Sequence, residues 1–112
     1  MKENGDMALM DAVELLISNQ VWKEIKEEIR EECELTHIAY RTWIEPLLIW
    51  KIEGETIIVA APELCSVEYV KLKYGNILRK KIEMKTGKNF KLDFVAMNDL
   101  LEVKVYNNIR NC

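Results

Sequence analysis

Histidine and proline are scarce in this chain of 112 residues, which has one His, two Pro, four Gly and three Cys. Each scarcity excludes something. A lone His37, with no G-x-S-x-G and no H-E-x-x-H, leaves no hydrolase triad and no zincin site. Gly5, Gly54, Gly75 and Gly87 are scattered, so neither the G-x-x-x-x-G-K-[ST] nor the G-x-G-x-x-G phosphate loop occurs. Cys33, Cys65 and Cys112 form no C-x-x-C pair, and an odd count without a secretory leader fits a reducing compartment. Cys33 and His37 have the spacing of two ligands on one helix, but Glu34-Leu35-Thr36 breaks the pattern between them and no second pair exists. No apolar run is long enough to span a membrane. Net charge is -3 and the sequence pI is near 5.3, so the basic character of a dedicated nucleic-acid binder is missing. A non-catalytic cytoplasmic protein is expected, with no metal and no cofactor.

What is present is an ordinary globular mix, 49% hydrophobic and 31% charged, in a length that suits one domain with one core. Residues 7–17, "MALMDAVELLI", place Leu9, Val13, Leu16 and Ile17 on one face of a helix that Asp6 can cap. The polar "SNQ" at 18–20 separates it from a second helix, where Trp22, Ile25, Ile29 and Cys33 form an apolar stripe against Lys, Arg and Glu. Thr36 is placed to cap a short helix, "HIAYRTWI", which Pro46 ends by lacking an N–H and disfavouring helical geometry before it. "LLIWKI" and "TIIVAA" read as strands joined through Gly54 in a hairpin. Pro62 suits the first turn of a long helix, with Val67, Val70, Tyr74, Ile77, Leu78 and Ile82 facing inward and Gly87 at its end. "FKLDFV" alternates like a strand with one wet face, and 100–106, "LLEVKVY", alternates in the same way as a further edge strand. The expected fold is α+β, with a small three-stranded sheet, room for a fourth edge strand, and helices on one face.

Charge is divided along the chain. Residues 21–34 carry six Glu against Lys23, Lys26 and Arg30, a net of -3, while residues 62–91 carry eight Lys and Arg against three Glu, a net of +5. Lys71, Lys73, Lys80 and Lys81 on the long helix are the candidates for weak phosphate contacts with single-stranded DNA.

Four stretches together resemble the N-terminal domain, domain I, of the bacterial chromosomal replication initiator DnaA. They are "VWKEIKEEI", "YRTWIEPL", "ETIIVAAPE" and "VEYVKLKYGNIL…TGKNFKLDFV", in that order. The resemblance covers residues 21–95 and leaves 1–20 as an N-terminal extension and 96–112 as a C-terminal one. It implies a KH-like domain that works through protein contacts. The expected partners are a second copy, the initiator, the replicative helicase or a regulator of initiation. It also implies that Trp22 belongs to a self-association surface, and that Trp43 and Pro46 form the structural corner. Ala39 and Cys65 stand where the family can carry an acidic and an aromatic docking residue. Neither type is present here, and the initiator's ATPase and duplex-reading parts are not in this sequence. The candidate interaction residues are therefore Trp22, Ile25, Ala39, Trp50 and Cys65. A small KH-like single-strand binder is the alternative, although no G-x-x-G loop supports it.

The tryptophans pose the sharpest question. Trp43 is expected in the core, where its burial contributes on the order of 2–3 kcal/mol. Trp50 has the opposite parity to Leu47 and Ile49, so it is expected on the far side of the sheet, exposed or covered by the extra N-terminal helix.

Overall fold

A computed structural model describes residues 19–100. The expected helix at 7–17 lies outside the described residues. So does the expected strand at 100–106, apart from Leu100, which is helical together with residues 97–99. Helix α1 spans Asn19–Glu32. Helix α2 follows as one α-helical turn, His37–Ala39, running into a π-helical turn, Tyr40–Ile44. Strands β1 (Leu48–Glu53) and β2 (Thr56–Ala61), helix α3 (Leu64–Thr86) and strand β3 (Lys91–Ala96) complete the order. The sheet runs β1-β2-β3, antiparallel in the first pair and parallel in the second, with α3 as the crossover. This is the expected α+β fold with a small open sheet.

One continuous core forms on the helix side. Trp22, Ile25 and Ile29 of α1 meet Tyr40 and Ile44 of α2, and Ile57, Val59 and Ala61 of β2. Val67, Val70, Tyr74, Leu78 and Ile82 of α3 close over them. The stripe expected on α1 stops short of Cys33, which is exposed, because the helix ends first. Its end is a Schellman turn: Glu34 takes φ 51, its N–H bonds Glu31 O (3.2 Å), and Leu35 N–H reaches back to Arg30 O (3.0 Å). A glycine would take that left-handed conformation without the Cβ strain that glutamate bears.

Local signals elsewhere place the breaks. Thr36 caps α2, its Oγ1 accepting from Ala39 N–H at 3.1 Å. Gly54 has φ 60 and Glu55 is not left-handed, so the β1–β2 hairpin closes through a II′ turn. Gly87, φ 75, ends α3. Pro62 is not in the first turn of α3 as expected. It precedes the cap residue Glu63, which is still extended. The strand β1 carries a bulge at Trp50, because Ile49 pairs with Val59 and Lys51 with Ile58. With Trp50 accommodated in strict alternation instead of a bulge, Lys51 would point into the core and Ile52 out of it.

The corner at Pro46 is clamped from α1. Trp22 Nε1–H donates to Leu47 O (2.9 Å), and Lys26 Nζ donates to Glu45 O (2.8 Å) and Leu47 O (3.3 Å). Burial lowers the Lys26 pKa there. Beside it, Tyr40 donates its hydroxyl to Glu27 (3.2 Å) under the Arg30 guanidinium, and burial, reinforced by Glu27, pushes the phenol up to about 12. The roles of the tryptophans differ from expectation: Trp22, 7% exposed, is the core residue, while Trp43 is half-buried at the edge of the cluster. The reason is geometric. Trp43 stacks on Tyr69 of α3, with ring centroids 4.1 Å apart, instead of pointing between helix and sheet.

The acidic and basic segments meet in the fold. Lys81 pairs with Glu28 (3.3 Å) and Glu32, and Lys85 with Glu24 (3.3 Å) and Glu28 (2.8 Å), forming a ladder between α1 and α3. Donating hydrogen bonds to carboxylates raises the pKa of both lysines, Lys81 chiefly through Glu32 and Lys85 chiefly through Glu28. Glu28 is lowered by its bond from Lys85, and Glu24 first by Gln20 and then by Lys85.

Three outcomes follow for stability. Trp22→Ala removes a buried indole and a bond to the corner, and should cost about 3–5 kcal/mol. Trp43→Ala, at a half-buried position, should cost about 1–2 kcal/mol. Urea unfolding of the two variants checks the order. Glu34→Gly should stabilise the protein by roughly 0.5–1 kcal/mol by relieving the left-handed strain and removing an anion from the C-terminal end of α1. A lower urea midpoint would contradict it. The ladder has a definite pH window. Depressed carboxylates contribute above their ordinary 4.5 and lose that contribution as pH falls through the folded value. Raised lysines contribute below their ordinary 10.5 and lose it as pH rises through the folded value. The melting-temperature gap between the protein and its Lys81→Gln/Lys85→Gln variant should therefore be level across neutral pH. It should close at both extremes and narrow with added salt.

Candidate interaction surface

Helices α2 and α3 present an aromatic surface. Trp43 lies against Tyr69, and Tyr69 meets the edge of Tyr74 at 6.1 Å. Lys73 Nζ sits over both tyrosine rings, 5.5 Å from the first and 6.0 Å from the second. A hydrogen bond to Tyr69 raises the Lys73 pKa, so the side chain holds its charge there. Tyr74 is buried and serves the core, while Trp43 and Tyr69 are half-buried and present one face to solvent. Two large apolar side chains of these helices do not join the core. Leu72 is 90% exposed on α3 and Ile38 is 77% exposed on α2.

The five candidate interaction residues do not converge. Trp22 and Ile25 lie inside the main core and bond or pack against the corner and helices, so in this fold they offer no surface. Trp50, 45% exposed, projects from the other face of the sheet with Lys51 Nζ 4.7 Å from its ring centroid. Ala39 and Cys65 each stand one helical turn before a member of the Trp43–Tyr69 stack. Ala39 is half-buried and Cys65 exposed. Pro46 is half-buried at the corner it was expected to form.

The four lysines expected to meet phosphate also separate. Lys81 is buried and held by Glu28 and Glu32, so it is taken out of any cationic patch. Lys71, Lys73 and Lys80 are exposed, and Lys73 is already engaged with the tyrosines. Part of the segment's positive charge, that of Lys81 and Lys85, is paired with α1. Sequence reading missed Leu72 and Ile38. The signal for Leu72 was there, since it lies two residues from Val70 and therefore cannot share the inward stripe.

Comparison with known proteins agrees with this architecture. The family model for the DnaA N-terminal domain matches residues 19–84. The chain is similar to the chromosomal replication initiator protein DnaA of Lachnoclostridium phytofermentans, 24% identical over 80% of this chain and 22% of the relative. It is similar to the protein of the same name from Bacteroides thetaiotaomicron, 31% identical over 76% of this chain and 18% of the relative. The corresponding protein of Bacteroides fragilis is 29% identical over 70% of this chain and 16% of the relative. The chain thus spans about a fifth of the length of the curated relatives it matches. On this match, across α1 to nearly the end of α3, the chain belongs to the DnaA N-terminal domain family.

Proposed function

We propose that this chain is a non-catalytic interaction module of chromosomal replication initiation, acting as an adaptor or regulator through contacts with the initiator, the replicative helicase or a second copy of itself. The observation that carries the reading is the exposed apolar and aromatic surface of α2 and α3, set in a domain of this family. Leu72 and Ile38 contribute nothing to the core, and half-exposed aromatics on the same two helices are what a protein partner buries at the centre of an interface. Ala39 and Cys65 give that surface a different chemistry from the acidic and aromatic pair the family can carry, which supports a different partner or a different grip on the same one.

A second reading rests on Lys73 above Tyr69 and Tyr74, beside Trp43. A stacking ring next to a cation is the basic element of single-strand binding. Lys81 and Lys85, neutralised by α1, add nothing to it.

The test is direct. The full chain should form a complex with the initiator or the replicative helicase of its own host, or with itself, when purified components are examined by size exclusion with light scattering. Tyr69→Ala and Leu72→Asp should weaken that complex by roughly tenfold or more, and Leu72→Asp should leave the melting temperature unchanged. Failure to bind any of the three, or binding that ignores both substitutions, would refute the proposal. Single-stranded DNA should bind weakly, with most affinity gone between about 50 and 200 mM salt.

A further inference from the structure

Among the described residues, the helices cover one face of the sheet. The other face is apolar at one end only. There Leu48, Ala60 and Val95 lie side by side in register, with Trp50 bulging from β1 and Ile58 next along β2, between Lys51 and Asp93. Ala60 and Ile58 are buried, while Leu48 is 46% exposed, as Trp50 nearly is. At the opposite end, by the hairpin, Glu53, Thr56 and Lys91 make the surface polar. Five successive residues of β2 are buried, and "TIIVAA" is the unbroken apolar run of a doubly covered strand.

We propose that residues 7–17 of the same chain form a helix that covers this outer face. The path of the chain supports it. Trp22 bonds the carbonyl of Leu47, so the first turn of α1 lies beside the start of β1. Asn19, where the described chain begins, is one turn before Trp22. Ile17 is two residues further back, within about 7 Å of extended chain. That brings it to the Leu48 end, the apolar end. As a helix, residues 7–17 extend about 16 Å, and β1 extends about 20 Å. Laid antiparallel to β1, Leu16 and Ile17 meet Leu48, Val13 meets Trp50, and Asp11 and Glu14 face water.

Other occupants fit less well. Asn98 N–H bonds Pro62 O (3.2 Å), which ties the chain after β3 to the loop leading into the helix layer. A second copy would need more surface than the face offers. Leu48 and Trp50, half exposed, present on the order of 200 Å², against roughly 800 Å² from each partner in a stable interface. A tethered helix needs no such area, because its effective concentration is already high.

Disulfide trapping in the full chain tests this, whichever partner the α2–α3 surface takes. With Cys33, Cys65 and Cys112 replaced by Ser, the pair Leu16→Cys and Leu48→Cys should oxidise to an intramolecular disulfide at monomer mass. It should form roughly tenfold faster than the control pair Asp11→Cys and Leu48→Cys. Equal rates, no disulfide, or a disulfide-linked dimer would overturn the proposal. A second measurement needs only one cysteine. The thiol of Leu48→Cys, in the same background, should react severalfold faster with a maleimide once Val13→Asp is added. An unchanged rate would also overturn it.

Discussion

The carbonyl oxygen of Leu47 receives two side-chain donors from α1, the Trp22 indole and the Lys26 ammonium. Much of the structure depends on that junction. Pro46 breaks the chain between helix and sheet, and a proline corner leaves backbone acceptors that no local N–H can reach. By satisfying Leu47 and Glu45 from a neighbouring helix, α1 fixes the angle at which β1 leaves α2. It also fixes its own depth, since the indole cannot reach Leu47 without lying in the core. The indole bond to Leu47 is the buried one of the set, so its loss is more damaging than the loss of an exposed bond.

The electrostatics obey the same economy. A chain with a net charge of -3 carries one strongly acidic helix and one strongly basic helix, and the fold lays them side by side. The pairs are partly shielded and share carboxylates, Glu28 serving both Lys81 and Lys85. A network of this kind orients two helices more firmly than isolated surface pairs do. What the outside sees is therefore less polarised than the sequence.

Most of the architecture was legible because its signals are local. Thr36, Gly54 and Gly87 mark breaks through hydrogen bonds or dihedral angles set within a few residues, and the stripe from Val67 to Ile82 has the helical period. Features set by distant partners were not legible. Which tryptophan would be central depended on where α1 meets the corner. Whether Lys81 was a ligand for phosphate depended on Glu28 and Glu32, far away in the chain. The bulge at Trp50 left a trace, since no strict alternation puts both Ile49 and Ile52 inward, but the inserted residue could be located only from the β2 register. Glu34 gave no warning, for glutamate is an uncommon choice for a left-handed turn.

The mixed sheet also imposes an order on synthesis. β1 and β2 meet across a tight turn, whereas β2 gains its parallel neighbour only after the whole of α3 has been made. At ~5–20 residues per second, the far edge of β2 waits on the order of seconds on the ribosome. That edge belongs to "TIIVAA", a short, uncharged segment rich in β-branched residues, the composition that pairs with copies of itself in aggregates. Its flanks are Glu53 and Glu55 on one side and Pro62 and Glu63 on the other. Charge and proline placed there act as gatekeepers on a strand that must stay open until its partner arrives.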